Sequence, residues 1–374
     1  MSRTIRWLAL IASVAIVVVA IVFVRRTSTR DYSVKPATAP ATAPAAPALS
    51  APATAPVPPP PAAVSPPANE DGVALLPGVT PAATPAAASD AAICVTFAAG
   101  GRLLVARASG RIELIDVTTG QRQPLDVKLL APRVVALSPA GDRVFVANAD
   151  AAEIFHITSS SKTRIAGGDV TAAAFSRTGG LLTGHAGGEV KIWDTPGWQN
   201  VATLRPNVGA VARIMPSPAT AHLAVIGASG GVAVCDVNDQ QVKQRLGAQQ
   251  AWTAVDFAPD GRTIAAAGPA GIAMWDTMLW QTRAAPSVPA DQPPTHVAFW
   301  RGGAVVVTAS ADGAVRIYDV ATRQLLTTLA AGNVSGPIAS LALGADDRTI
   351  AVAAGAQVTL WDSAARSVSR TFNP

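Results

Sequence analysis

The sequence predicts an all-β protein in which one four-stranded unit is repeated seven times, behind an apolar helix of membrane length and a proline-rich stalk. Three observations carry this: a three-residue ending that recurs at near-constant spacing, a turn signal upstream of it, and a sharp change of composition after the first quarter of the chain.

The endings are LID at Asp116, IFH at His156, IWD at Asp194, VCD at Asp236, MWD at Asp276, IYD at Asp319 and LWD at Asp362, spaced 40, 38, 42, 40, 43 and 43 residues apart. Upstream, a strand runs into a tight turn, as in ALSPAGDR from Ala136, AFSRTGG from Ala174 and DFAPDGR from Asp256. In each unit an apolar run precedes that turn, a second follows it, a third carries the ending, and a fourth, such as LLTTL from Leu325, closes the unit. Short alternating runs bounded by Gly, Asp, Asn and Pro read as strands. Four of them in roughly 40 residues make one blade of a propeller.

On these residues, 91–374 resemble a seven-bladed WD40-type β-propeller. The Trp-Asp pair stands unaltered at Trp193-Asp194, Trp275-Asp276 and Trp361-Asp362, with Tyr318-Asp319 a close variant and Ile115-Asp116 and Cys235-Asp236 looser ones. The resemblance implies an Asp seven residues before each ending, bonded to a His in the loop that leads into the blade. Only Asp312 fits; the same column holds Ser109, Ala149, Gly187, Ser229, Pro269 and Gly355, and no Gly-His pair opens a blade. The family's hydrogen-bonded tetrad is therefore expected to be largely absent, with small residues supplying the tight turn instead.

The N-terminal quarter is not globular in composition. Trp7 to Val24 is an 18-residue run without a charge, flanked by Arg3 and Arg6 before it and by Arg25, Arg26 and Arg30 after it. That length suits a membrane-spanning helix. A cleaved signal peptide shares the pattern, but the run ends in Ile21, Val22, Phe23 and Val24 with no small-x-small site, which favours an uncleaved anchor over residues 1–30. Residues 31–90 form a Pro/Ala-rich linker expected to be disordered, with no charge from Pro36 to Asn69. Polyproline geometry, about 3.1 Å per residue, makes it a semi-rigid spacer; a proline-rich ligand for a groove-binding domain is the competing reading. Val73 to Leu76 is either a passing apolar cluster or a strand lent to the propeller, although the last unit already has a fourth strand of its own near Ser367 to Phe372.

Charge does not decide which side of the membrane the propeller occupies, since the two flanks nearly balance. The short basic N-terminus and the uncharged stalk favour the periplasm, and the Ala-rich, Lys-poor composition is bacterial in style. The expected location is a bacterial inner membrane, with a cytoplasmic propeller as the alternative. Of the formal charge of +5 the propeller, with 23 bases and 20 acids, carries about +3, its charges are scattered through the turns, and no Lys/Arg cluster interleaved with aromatics offers a nucleic-acid footprint. Cys94 and Cys235 fall nearly across the ring, too far apart for a disulfide, and read as small core hydrophobes.

Signals for chemistry are few. His156, His185, His222 and His296 lie in different units without metal-ligand spacing, and no GK pair is present for a phosphate loop. Gly227-Ala228-Ser229-Gly230-Gly231 satisfies G-x-S-x-G, yet a strand, GVAVCD, follows it where a nucleophile elbow needs a helix. The innermost strands, ICVTF, VVALS, TAAAFS, VARIM, TAVDF, HVAFW and ASLAL, contribute one acid, Asp256, and one base, Arg213, a poor lining for a catalytic channel.

The expected function is thus a non-enzymatic, membrane-tethered interaction scaffold without a cofactor, docking one or more membrane or envelope proteins. The alternative is a propeller enzyme of lactonase or hydrolase type, or a small-ligand sensor, working at the channel mouth. The resemblance implies a docking face built from the loops leading into the blades and the turns between second and third strands. Carried onto this chain, that face holds Arg107, Arg133, Asn148, His185, Trp252, His296 and Asp312. Trp252 is the leading anchor candidate, with packing between blades as the competing role. His296 competes as a structural histidine. The four-proline loop Gln281 to His296 is either a contact loop or an inert insertion. Trp198 and Trp280, each four residues after a WD aspartate, suggest a structural role on the opposite face.

Overall fold

A computed structural model describes residues 90–98, 100–165, 169–329 and 337–374. These form seven antiparallel four-stranded sheets, each in sequence order from inner to outer strand, with no strand shared between sheets. Blades 1 to 7 span residues 92–125, 134–165, 170–204, 211–246, 254–283, 294–329 and 338–372. The one helical element among the described residues is a 3-10 turn, Arg301–Gly303. No described helix is long and apolar enough to cross a membrane. The apolar run 7–24, the stalk and the cluster 73–76 lie outside the described residues.

The burial of each strand follows from its rank in the blade. Second strands, such as Arg102–Arg107 and Val305–Ser310, are covered on both faces by neighbouring blades and so are apolar almost throughout. Fourth strands, such as Gln241–Leu246 and Ser367–Phe372, alternate exposed and half-buried residues because one face meets solvent. Six of these outer strands end on a buried apolar residue: Leu125, Ile165, Leu204, Leu246, Leu329 and Phe372. Each such residue closes the rim of an interface between blades.

Seven apolar clusters fill the seven interfaces between consecutive blades. The pleat explains the division: in blade 1, Leu104 and Ala106 face blade 2, whereas Leu103 and Val105 face blade 7. The residue before each WD position packs backward, so Trp193 joins blade 2, Trp275 joins blade 4 and Trp361 joins blade 6. Cys235 takes the same role toward blade 3 and is a free thiol, as is Cys94.

The ring closes between blades 7 and 1 without strand exchange. Ala92 N donates to Gly355 O at 2.8 Å and Arg122 Nη2 to Asn373 O at 2.7 Å. Inner strands of neighbouring blades do not pair with one another, and polar side chains bridge them instead. Thr171 Oγ1 donates to Val211 O at 2.6 Å, Phe299 N donates to Asp256 Oδ2 at 2.7 Å, and Val95 N donates to Ser340 Oγ at 3.1 Å.

The WD aspartates hold the turns of one face. Oδ1 of Asp116 accepts from Thr118 N and Thr119 N, and Asp276 and Asp362 repeat the pattern. Backbone donors hold Asp116, Asp276 and Asp319 below the usual carboxylate range. Four residues after each ending the chain is left-handed in all seven blades: Gly120, Ser160, Trp198, Gln240, Trp280, Arg323 and Arg366, with φ from 53° to 80°. Only one of the seven is glycine, so this turn tolerates side chains that earn their place by packing.

Candidate functional site

The turns between second and third strands and the loops between blades make up one face of the disc. A hydrogen-bonded tetrad, which the sequence led one to expect largely absent, stands on this face in blade 3 with two of its members exchanged. Trp193 Nε1 donates to Thr183 Oγ1 at 2.8 Å, Thr183 Oγ1 lies 3.0 Å from His185 Nε2, and His185 Nδ1 lies 2.9 Å from Asp169 Oδ1. One proton arrangement satisfies every member: Nδ1–H donates to the carboxylate and the threonine hydroxyl donates to Nε2. The acid stands in the loop ahead of the blade and the histidine ends the second strand, the reverse of the pattern sought in the sequence. Its hydrogen bond to His185 holds the Asp169 carboxyl below its ordinary range.

Blades 1 and 6 join the same two places with other residues. In blade 1, Ser109 N and Ser109 Oγ donate to Asp90 at 2.9 and 2.8 Å, so Asp90, the last residue of the expected linker, already belongs to the blade. In blade 6, Arg316 Nη2 donates to Asp312 Oδ2 at 2.6 Å and also to Gln292 Oε1, while Ser310 Oγ donates to Gln292 O at 3.3 Å. The proline-rich loop before blade 6 is thereby fastened through Gln292. Burial pushes the Asp312 carboxyl up, but the bonds from Arg316 and Ala314 N outweigh it and leave a net lowering.

The seven candidate contact residues separate into buried supports and accessible groups. Arg107 is 0% exposed; it donates to Asp90 O at 3.0 Å and Ala356 O at 2.9 Å, and its Nε lies 3.8 Å from the buried Glu113. His185 is fully buried in the tetrad. Trp252 is 5% exposed and packs edge-on against Trp275, with centroids 5.7 Å apart, in the core between blades 4 and 5. These three shape the face from beneath, so the anchor role anticipated for Trp252 gives way to interior packing. His296 is half-buried on the channel wall, its Nδ1 3.0 Å from Thr295 Oγ1. Asp312 is partly exposed but paired with Arg316. Arg133 is exposed.

Asn148 has a supporting role that leads to a contact residue the sequence did not flag. Its Nδ2 donates to Leu130 O at 3.1 Å, and its Oδ1 accepts from Asp150 N and Ala151 N. Leu130 itself is 74% exposed. Its loop rests on Gly110, where a Cβ would lie 2.7 Å from Leu129 O and 3.2 Å from Leu130 Cα; only glycine permits that approach, and φ there is 97°. An exposed leucine is therefore held from two sides, three residues from Arg133. Which of the adjacent Leu129 and Leu130 is buried and which is exposed carries no sequence signal, and so Leu130 escaped notice.

On the opposite face, Trp198 stacks under Arg143 of blade 2 at 5.5 Å and Trp280 packs against His222 of blade 4 at 5.5 Å. Between blades 3 and 4 the matching positions are Gly180 and Gln240. A groove of about 620 Å³ opens there, lined by Trp193, Val201, His222 and Val237. Ser229 sits in a hairpin turn in which Gly230 N donates to Gly227 O at 2.8 Å, with no helix after it. Among the described residues no group of three or more His, Cys, Asp or Glu is arranged to hold a metal.

The central channel, about 440 Å³, is lined by the innermost strands of all seven blades. Arg133, Arg213, Asp256, His296 and Cys94 are its titratable side chains. Burial pushes the Asp256 carboxyl up to about 7 and the Cys94 thiol up to about 11. Burial, with the Arg213 charge adding to it, brings His296 down to about 4.

This architecture defines a class: a rigid β-propeller with a disc face of loops. The family model for the WD domain, G-beta repeat, matches residues 159–194 and 289–319, the stretches that close blade 2 and open blade 3 and that lead into and build most of blade 6. Those two stretches thus match WD40 repeats, and they lie within a seven-bladed propeller, a fold that commonly mediates protein–protein interaction. No curated protein matches the chain.

Proposed function

We propose that the protein is a membrane-tethered, non-enzymatic docking scaffold whose loop face receives one or more envelope proteins. The observation that carries this reading is Leu130, an exposed leucine fixed by Asn148 and by the close approach to Gly110, with Arg133 beside it. A contact residue that is already ordered loses little entropy on binding. The rest of the face supports the same role, because the networks in blades 1, 3 and 6 fasten its loops to its turns before any partner arrives. The apolar run Trp7 to Val24 supplies the tether, the proline-rich stalk the spacing, and a bacterial inner membrane with the propeller in the periplasm is the proposed setting.

Two experiments test the parts separately. A photo-crosslinking residue at position 130 should give a discrete adduct in cells, and the same probe at position 279 on the opposite face should not; equal labelling at both would remove the loop face from the proposal. Protease digestion of a C-terminally tagged chain should require only opening of the outer envelope. Protection until the inner membrane is lysed would place the propeller in the cytoplasm.

A further inference from the structure

The channel combines a positive charge without a counter-charge and a volume suited to a small ligand. Arg213 is the third residue of the inner strand Val211–Pro216 of blade 4 and reaches the channel's solvent. Its guanidinium makes no hydrogen bond or ion pair among the described residues, and neither does that of Arg133, which lines the same channel from blade 2. Arg213 lines the channel together with Cys94 of blade 1 and His296 of blade 6.

No lining residue balances these two cations. Asp256 is the one carboxylate among the channel residues, and it is turned to the backbone N–H of Phe299 at 2.7 Å, bridging blades 5 and 6. The rest of the wall mixes polar groups, such as Thr171 and Ser340, with apolar ones, such as Ile93 and Val297. Charges of one sign gathered in a protein cleft focus their field and raise the local concentration of the opposite ion. A guanidinium presents paired donors that match a carboxylate or phosphate. The volume, about 440 Å³, lies within the range of about 300–1,000 Å³ usual for small-molecule sites.

We propose that the central channel is a binding site for a small oxyanion, a carboxylate or phosphate with at most a short apolar body, held by Arg213 with Arg133 adding to the attraction. The proposal is one of binding alone and assigns no chemical step to the Cys94, Asp256 and His296 side chains that share the channel. Arg133 is the one loop-face residue it uses and Leu130 has no part in it, so its failure would leave the docking reading intact.

Calorimetric titration of the full-length protein with butyrate, and separately with inorganic phosphate, tests this. At least one probe should bind saturably at one site per chain and weaken at least tenfold in Arg213→Met, in a variant whose melting temperature stays near that of the parent. Binding of butyrate alone assigns a carboxylate ligand, and binding of phosphate alone assigns a phosphate. Should Arg213→Met fail to fold, Arg213→Lys keeps the charge but loses the paired donors, and a several-fold loss is expected there. No saturable binding of either probe, or affinity unchanged in the folded variant, would overturn the proposal.

Discussion

The imidazole of His185 and the carboxylate of Asp169 meet at 2.9 Å, Nδ1 to Oδ1, and tie the loop ahead of blade 3 to the end of that blade's second strand. The histidine is buried and the carboxylate half exposed, so the pair connects the interior to the disc face. Asp169→Ala should destabilise the protein by about 1 kcal/mol in urea unfolding at pH 7, at the low end for an unpaired buried donor because water can reach the vacated side. His185→Ala, which removes a buried ring and leaves Thr183 without its partner, should cost more. The folded carboxyl is lowered, so its contribution is present above the ordinary aspartate range and is lost as pH falls through the folded value. The gap between parent and Asp169→Ala should therefore close in acid.

Glu113 is buried among three arginines, 3.8 Å from Arg107 Nε, 3.2 Å from Arg111 Nη2 and 3.6 Å from Arg122 Nη1. Arg107 is equally buried and spans the closure of the ring through Ala356 O. Glu113→Ala leaves that guanidinium in the interior without its counter-charge, at a cost of about 3–5 kcal/mol. Glu113→Gln should fall between parent and alanine. Chemical denaturation of the three proteins gives the order, and a loss below about 1 kcal/mol for alanine would show that water reaches Arg107.

The left-handed position after each WD ending gives a contrast of sign. Arg323 and Trp198 have φ of 63° and 53°, but Arg323 is exposed whereas Trp198 is buried under Arg143. Arg323→Gly should raise the melting temperature slightly, because relief of a left-handed residue, about 1–2 kcal/mol, exceeds the added chain entropy of glycine, about 0.5–1 kcal/mol. Trp198→Gly relieves the same backbone but should cost about 3 kcal/mol or more through lost packing between blades 2 and 3. Two melting curves decide it.

The channel should leave a signature in pH dependence. Asp256 is raised to about 7, so its contribution to stability is complete below the ordinary aspartate value and is lost as pH rises toward 7. His296 is lowered to about 4, so its contribution is complete above the ordinary histidine value and is lost as pH falls toward 4. The two slopes oppose each other between those limits. Asp256→Asn should expose the histidine slope, with stability rising from pH 4 to the ordinary histidine range near 6.5, and should make the protein more stable than the parent at pH 8. Thermal melts across pH 4–8 measure both effects.

Blade number, strand order and the turn column were legible because each is local. A strand of alternating character, a Gly or Asp turn and an aromatic-Asp ending recur every 38 to 43 residues, and the sheets fall where those runs do. The functional residues were less legible. Trp252, Arg107 and His185 occupy loop-face positions in the repeat, yet their side chains turn inward; position along a strand does not reveal direction at a blade's end. Asp169 was passed over because the sequence was searched for a histidine ahead of the blade, and chemistry is satisfied equally well with donor and acceptor exchanged.

What the sequence determined by itself was the repeat: seven copies of a unit too small to bury its own faces, which must therefore stack into a closed ring. It also determined the composition of the first 90 residues, which carry an uncharged apolar run and a proline-rich tract in place of a core pattern. Tertiary structure alone decided which residues meet. Leu130 becomes a fixed, exposed contact because Gly110 and Asn148, 20 and 18 residues away, support its backbone. Arg213 becomes an uncompensated charge because ring closure gathers seven inner strands around it and turns their one carboxylate toward a neighbouring blade. Both depend on distances between blades, which no local pattern of residues encodes.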